Sequence, residues 1–176
     1  MSVYSSVRES IRRVALVALS EFTNPQVVFS HANGTEPAES YVVINLLSIT
    51  QQGHASTSSL TNPDKSIAIQ AYYEAFVQFT FVGSKSGEMI QSFTQRINNN
   101  PLSLQALQAN NLGLMRKSAI RNSPQRRDTK WIDYHNMDVT FNYIVNTEQV
   151  VDWVESVVVD SEQTGEFTIP DEIVVP

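Results

Sequence analysis

The 176-residue sequence predicts an α+β fold: a mainly antiparallel sheet with helices packed on one face, in a single domain with a C-terminal arm. Three observations predict it. Ile67, Ile69, Ala71, Tyr73, Ala75, Val77, Phe79 and Phe81 alternate with Gln70, Tyr72, Glu74, Gln78 and Thr80, the period of a strand with one buried face. Met137, Val139, Phe141, Tyr143 and Val145 repeat the pattern against Asp138, Thr140 and Asn142. Two other stretches, Val7 to Phe22 and Met89 to Ile97, place their apolar residues three and four apart, as a helix with one apolar face requires. Strands and helices come in runs instead of alternating singly, which favours antiparallel pairing.

The elements follow in order. Ser6 and Glu9 form a capping box at the start of the first helix, and Asn24-Pro25 closes it. "QVVF" (26–29) is a short strand, and "HANGTEPAES" is turn chemistry. "YVVINLLSI" (41–49) hardly alternates and reads as a strand buried on both faces. The small polar stretch 53–66 reads as a loop or hairpin tip. A strand over 67–81 would be about 50 Å long, beyond the usual length, so it projects from the sheet or bends. "GSKSGE" (83–88) is a turn into a helix, with Ser86 as cap and Glu88 well placed in the first turn. "NNNP" stops that helix, and Pro101 with Leu102, Leu104 and Leu107 starts a short one. Residues 112–120 form a strand leading into a basic loop, "RNSPQRRD". "VVDWVESVVV" (150–159) fits a short helix and strand, or one irregular strand. "GEFTIPDEIVVP", with two prolines, suits an edge strand or arm. There is no internal repeat. The boundaries drawn are a domain over 1–161 and an acidic arm over 162–176.

Bulk composition narrows the function. Hydrophobic residues make up 41% and charged residues 17%, values of a globular domain with one core. The absence of cysteine excludes a disulfide framework, thiolate metal sites and cysteine nucleophiles, and fits a reducing compartment. "MSVYSSVRESIRR" has charges where a secretion signal needs an apolar run, and no stretch approaches the ~20 apolar residues that span a bilayer. A soluble, non-exported chain without a membrane partner is expected. The net charge of −6 is unevenly spread. Arg116, Lys117, Arg121, Arg126, Arg127 and Lys130 stand beside one acid, Asp128. Residues 147–176 hold Glu148, Asp152, Glu155, Asp160, Glu162, Glu166, Asp171 and Glu172 without a base. Such asymmetry points to partners: nucleic acid for the basic segment, or another copy of the chain for both.

Catalytic patterns are thin. A phosphate-binding loop needs a glycine, four residues, then Gly-Lys-Ser/Thr, so that backbone amides wrap the phosphates. In "GSKSGE" Lys85 precedes Gly87 and only three residues separate the glycines, so the ring of amides does not form. His31, His54 and His135 have no metal partner at helical or strand spacing. "WIDYHNMD" gathers Asp133, His135 and Asp138, but without a nucleophile or a third ligand the structural reading is better. No catalytic, cofactor-binding or metal residue is assigned, and no cofactor is expected. "RKSAIRNSPQRRDTK" is basic but lacks interleaved aromatics for base stacking, only Trp131 adjoining it, and the chain as a whole is acidic. A protein-interface role is preferred for the six basic residues, joined by Glu166, Phe167, Ile169, Asp171 and Glu172 of the tail.

Three stretches together resemble the neck or tail-terminator proteins of long-tailed bacteriophages. They are "EAFVQFTFVGSKSGEMIQSFTQRI", "LQALQANNLGLMRKSAIRNSP" and "KWIDYHNMDVTFNYIVNTEQVVDWVESVVV", with "YVVINLLSITQQG" upstream fitting the early strand. The resemblance is one of element order, and covers neither 53–66 nor the residues beyond Ser161. It implies a non-enzymatic virion protein whose subunits form a hexameric ring. That ring would cap the tail tube, contact the tail tube protein and the head–tail connector protein, and let DNA pass through its lumen without specific binding. Assembly would take place in the host cytoplasm. The alternatives are another connector component such as a stopper or completion protein, a small DNA-binding regulator, and a hydrolase built on Asp133 and His135.

Overall fold

The computed structural model describes residues 3–57 and 66–150. Among these residues three helices, α1 (Val3–Ala18), α2 (Ser86–Asn99) and α3 (Pro101–Ala109), accompany eight strands. The strands are β1 (Gln26–Phe29), β2 (Tyr41–Thr57), β3 (Ser66–Val82), β4 (Leu112–Lys117), β5 (Arg121–Asn122), β6 (Gln125–Arg127), β7 (Lys130–Ile132) and β8 (Tyr134–Val150). The main sheet has the order β1-β2-β3-β8-β4, with β5 continuing beside β8. β1 lies parallel to β2 and every other pair is antiparallel. This is the α+β architecture that the two alternations and the two amphipathic stretches predict.

The core lies between the helices and one face of the sheet. Val7, Ile11 and Val14 of α1 and Met89, Ile90, Phe93 and Ile97 of α2 meet Val42, Ile44, Ala75, Val77, Phe79, Phe81, Val139 and Phe141. Phe79 and Phe93 pack with tilted rings at 4.8 Å between centroids, and Phe141 meets Phe79 edge-on at 6.4 Å. The opposite face of the sheet is wetter. At one end it holds a small second cluster of Tyr41, Val82 and Tyr134, packed against Val28, Val43 and Ile132. That cluster is roofed by the hairpin β6–β7, the separate two-stranded sheet.

Two turns explain the helix layout. Gly83 has φ +104, and a Cβ there would lie 2.7 Å from Ser40 Oγ, so only glycine fits the turn from β3 into α2. Asn100 closes α2 and opens α3: its backbone N–H donates to Arg96 O, and its side chain accepts the Leu102 N–H at 2.9 Å. A single residue thus satisfies orphan groups of both helices.

Several local expectations differ from the fold. α1 starts before Ser6, whose hydroxyl bonds Tyr143 Oη at 2.8 Å, so Ser6 and Glu9 form no capping box. The helix also ends at Ala18, and turns occupy the residues up to Asn24. Ser86 is the first helical residue and not the cap; it is fully buried, its hydroxyl 3.0 Å from His135 Nδ1. β2 is not buried on both faces: Val42, Ile44 and Leu46 face the core while Val43 and Asn45 are half-buried. It also runs on through 53–57, the first part of the stretch 53–66 read as a loop or hairpin tip: these residues still pair antiparallel with β3, and 58–65 lie outside the described residues. Finally, "RNSPQRRD" holds two strands, β5 and β6, where a loop was expected.

Candidate interaction surfaces

The turn that opens α2 is not laid out as a phosphate cradle. Three of its amides donate inside the chain: Gly83 to Asp133 O at 3.0 Å, Ser86 to Gly83 O at 3.0 Å, and Lys85 to Ser40 Oγ at 3.0 Å. A phosphate cradle needs those N–H groups free and convergent. Lys85 is exposed at the edge of an open groove beside Phe22, Pro25 and Met89. At the other candidate, the backbone carbonyl of Asp133 faces Ser86, and the Ser86 hydroxyl beside His135 is sealed from solvent. A hydroxyl without access to substrate is a structural tie between α2 and β8, not a nucleophile. Among the described residues no group of three or more His, Asp and Glu side chains is placed to hold a metal. No helix among them is long and apolar enough to cross a membrane.

The basic residues divide into two sets. Four are tied down. Arg116 Nε donates to Thr140 Oγ1 at 3.1 Å, and its guanidinium lies 3.6 Å from Glu74. Gln52 donates to the same carboxylate at 3.1 Å, so Glu74 links β2, β3 and β4 across the sheet. Lys117 Nζ donates to Thr94 O at 2.8 Å and Asn98 Oδ1 at 3.2 Å, capping the last turn of α2 with positive charge. Its partial burial pushes the ammonium pKa down. Arg121 meets Asp138 at 2.6 Å. Arg127 donates to both oxygens of Glu36, at 2.5 and 2.7 Å, and lies over the Tyr134 ring. Glu36 also accepts the Tyr41 hydroxyl at 2.6 Å. These hydrogen bonds, from Tyr41 first and Arg127 second, hold the Glu36 carboxyl below its usual pKa. Burial, and then the bond to Glu36, push the Tyr41 phenol up to about 12.

Arg126 and Lys130 form the second set. Both are exposed, and neither has an acidic partner among the described residues. The register of the hairpin sets Arg126 opposite Trp131 and Arg127 opposite Lys130. Side chains of directly paired residues share a face, and faces alternate along each strand. Arg127 and Ile132 turn toward Glu36 and the Tyr41 cluster with Lys130 on their side at the exposed hairpin tip, which turns Arg126 and Trp131 outward. Trp131 is 70% exposed, the most open large apolar side chain described. Charge counting finds the basic segment but not this division, because Glu36 and Glu74 are distant in sequence. A signal for the hairpin is nevertheless present: "QRR" and "KWI" flank Asp128-Thr129, a turn pair, with Asp128 at φ +52. Glu166, Phe167, Ile169, Asp171 and Glu172 lie outside the described residues, as does the segment 151–159.

Open strand edges are the other surface. β1 covers β2 only as far as Ile44, and β4 covers β8 only from Tyr143 toward its start. Beyond those points β2, β3 and β8 continue as a three-stranded ribbon whose two edges no other described strand covers.

The fold is thus held by core packing and cross-strand polar ties, with an outward Arg/Trp hairpin on its surface. The family model described as phage neck terminator protein matches residues 2–166, and the chain belongs to that family. It is a structural component of the phage neck. No curated protein matches the chain.

Proposed function

We propose that this chain assembles into a closed ring, six subunits as the family resemblance implies, that terminates the tail tube and joins it to the head-side connector. The match to the neck terminator family over residues 2–166 carries the reading. The ribbon supports it, since bare strand edges are a liability in a free monomer and pair with neighbours in a ring. The chain works without catalysis or a cofactor, assembles in the host cytoplasm, and lets DNA pass without specific contacts. A DNA-binding regulator fits less well: Arg116, Lys117, Arg121 and Arg127 are engaged inside the chain, which leaves few cations to displace counterions. Electron micrographs of isolated tail tubes mixed with the purified protein should show a ring at one end of each tube. Tubes with two bare ends would contradict the proposal.

A further inference from the structure

The charge of this chain is nearly all in one place. Residues 151–176 contain seven acids and no base, whereas residues 1–150 contain eleven acids against twelve bases. The body is close to neutral and the last segment supplies the whole negative balance. On the described surface, Arg126 and Lys130 are the neighbouring cations that lack an acidic partner, and they share a hairpin with the exposed Trp131. The hairpin is held in place from beneath by the Arg127–Glu36 pair and by Ile132, so its outward side chains are presented on a fixed frame. Arginine and tryptophan are the side chains that most often anchor a protein contact. The segment "GEFTIPDE" offers the complement, carboxylates at Glu166, Asp171 and Glu172 around apolar Phe167 and Ile169.

We infer that the acidic C-terminal segment of one copy docks on the β6–β7 hairpin of a second copy, its carboxylates against Arg126, its apolar side chains against Trp131, and Lys130, exposed at the hairpin tip on the Arg127 side, adding positive charge at the edge of the contact. The length of β8 favours a second copy over the chain's own tail. The hairpin sits at the Tyr134 end of β8, and the chain leaves β8 at Val150, 17 residues along and about 55 Å away. A chain's own Glu166 reaches its own hairpin only by running back the whole ribbon at nearly full extension, which costs most of the freedom of the segment. A neighbour in a ring need not be so far. The inference rests on the self-assembly proposed above.

The absence of cysteine makes a direct test possible. Thr129→Cys at the hairpin tip and Thr168→Cys in the tail are made in separate chains, mixed and oxidised. A two-chain band should form well above that of either variant alone. Arg126→Glu with Lys130→Glu in the hairpin chain should cut its yield about tenfold, and Asp171→Lys with Glu172→Lys in the tail chain should restore it. A band at background level while mass photometry still shows rings overturns this inference and leaves the ring standing. Absence of any assembly overturns the ring itself. If one chain carrying both cysteines closes on itself at high dilution while mixtures do not link, the occupant is the chain's own tail and the inference fails. It fails too if Arg126→Glu/Lys130→Glu abolishes binding of single-stranded DNA while the link stays at background, for the hairpin is then a nucleic-acid surface.

Discussion

The strands β2, β3 and β8 are each 17 residues long, yet their two halves are held by different forces. From Ala75 to Val82, β3 buries Ala75, Val77, Phe79, Phe81 and Val82 under the helices and the second cluster. From Ile67 to Glu74 the same strand buries no residue, and neither does β2 beyond Leu46. The bare half is laced by polar side chains: Gln52 to Glu74, Gln70 to Asn146, Tyr72 to Gln70. Backbone pairing continues unbroken between β3 and β8 across both halves. Hydrogen bonds thus extend a sheet, but burial is what makes it stable alone, since an exposed hydrogen bond adds little net free energy. The bare half fits a role in contact with other chains.

The largest expected effect breaks the covered half. Phe79→Asp or Phe141→Asp puts an unpaired carboxylate in the core, at a cost of several kcal/mol against the ~5–15 kcal/mol total of a typical domain. Each variant should lose its cooperative melt. A normal melt in either would mean that these positions are not core. Gln70→Ala in the bare half, by contrast, should move stability by less than about 0.5 kcal/mol, as surface substitutions do.

Hydrogen exchange sharpens the comparison without mutation. Amides of β3 from 75 to 82 should exchange slowest, and those from 67 to 74 by easier local opening. On assembly the second set should slow and the first should change little. Equal protection of both halves in the unassembled chain would contradict the division.

Tyr41 gives a smaller effect, at the covered end. Its phenol holds its proton more tightly folded than unfolded, with a pKa raised from 10.0 to about 12. That contribution is fully present below the unfolded pKa and is lost as pH climbs through the folded one. The melting temperature should therefore fall between pH 10 and 12, and Tyr41→Phe should flatten the fall. An unchanged slope in Tyr41→Phe would place the alkaline loss elsewhere. The smallest effect is expected at Lys85. Lys85→Ala should leave the melt unchanged, and ATP or GTP should not shift it; a nucleotide-dependent shift that vanishes in Lys85→Ala would restore a phosphate role to the turn.

The covered half was legible in the sequence because burial writes itself as period: Phe79, Phe81, Met137 and Phe141 each sit where alternation puts them, and Met89, Phe93 and Ile97 where a helix does. The bare half was half legible. The overlong β3 alternates to its end, but its partner segment 53–57 is small and polar and looks like a loop, because a strand with no face to bury has no period to show. Local spacing suggests caps at Ser6 and Ser86 that the fold does not use, for a related reason. Both hydroxyls are taken by residues far along the chain, Tyr143 and His135, and local spacing carries no trace of them. The interface residues were legible as charge, not as geometry: only the fold shows that Glu36, Glu74 and Asp138 occupy Arg127, Arg116 and Arg121 and leave Arg126 and Lys130 open.

In the proposed ring, neighbouring subunits complete the bare half of each chain. Mass photometry of the purified protein, alone and mixed with tail tubes, tests it most directly. The account predicts a discrete species near six times the 19.7 kDa chain mass, present at least when tubes are added. A strictly monomeric protein under both conditions would contradict it.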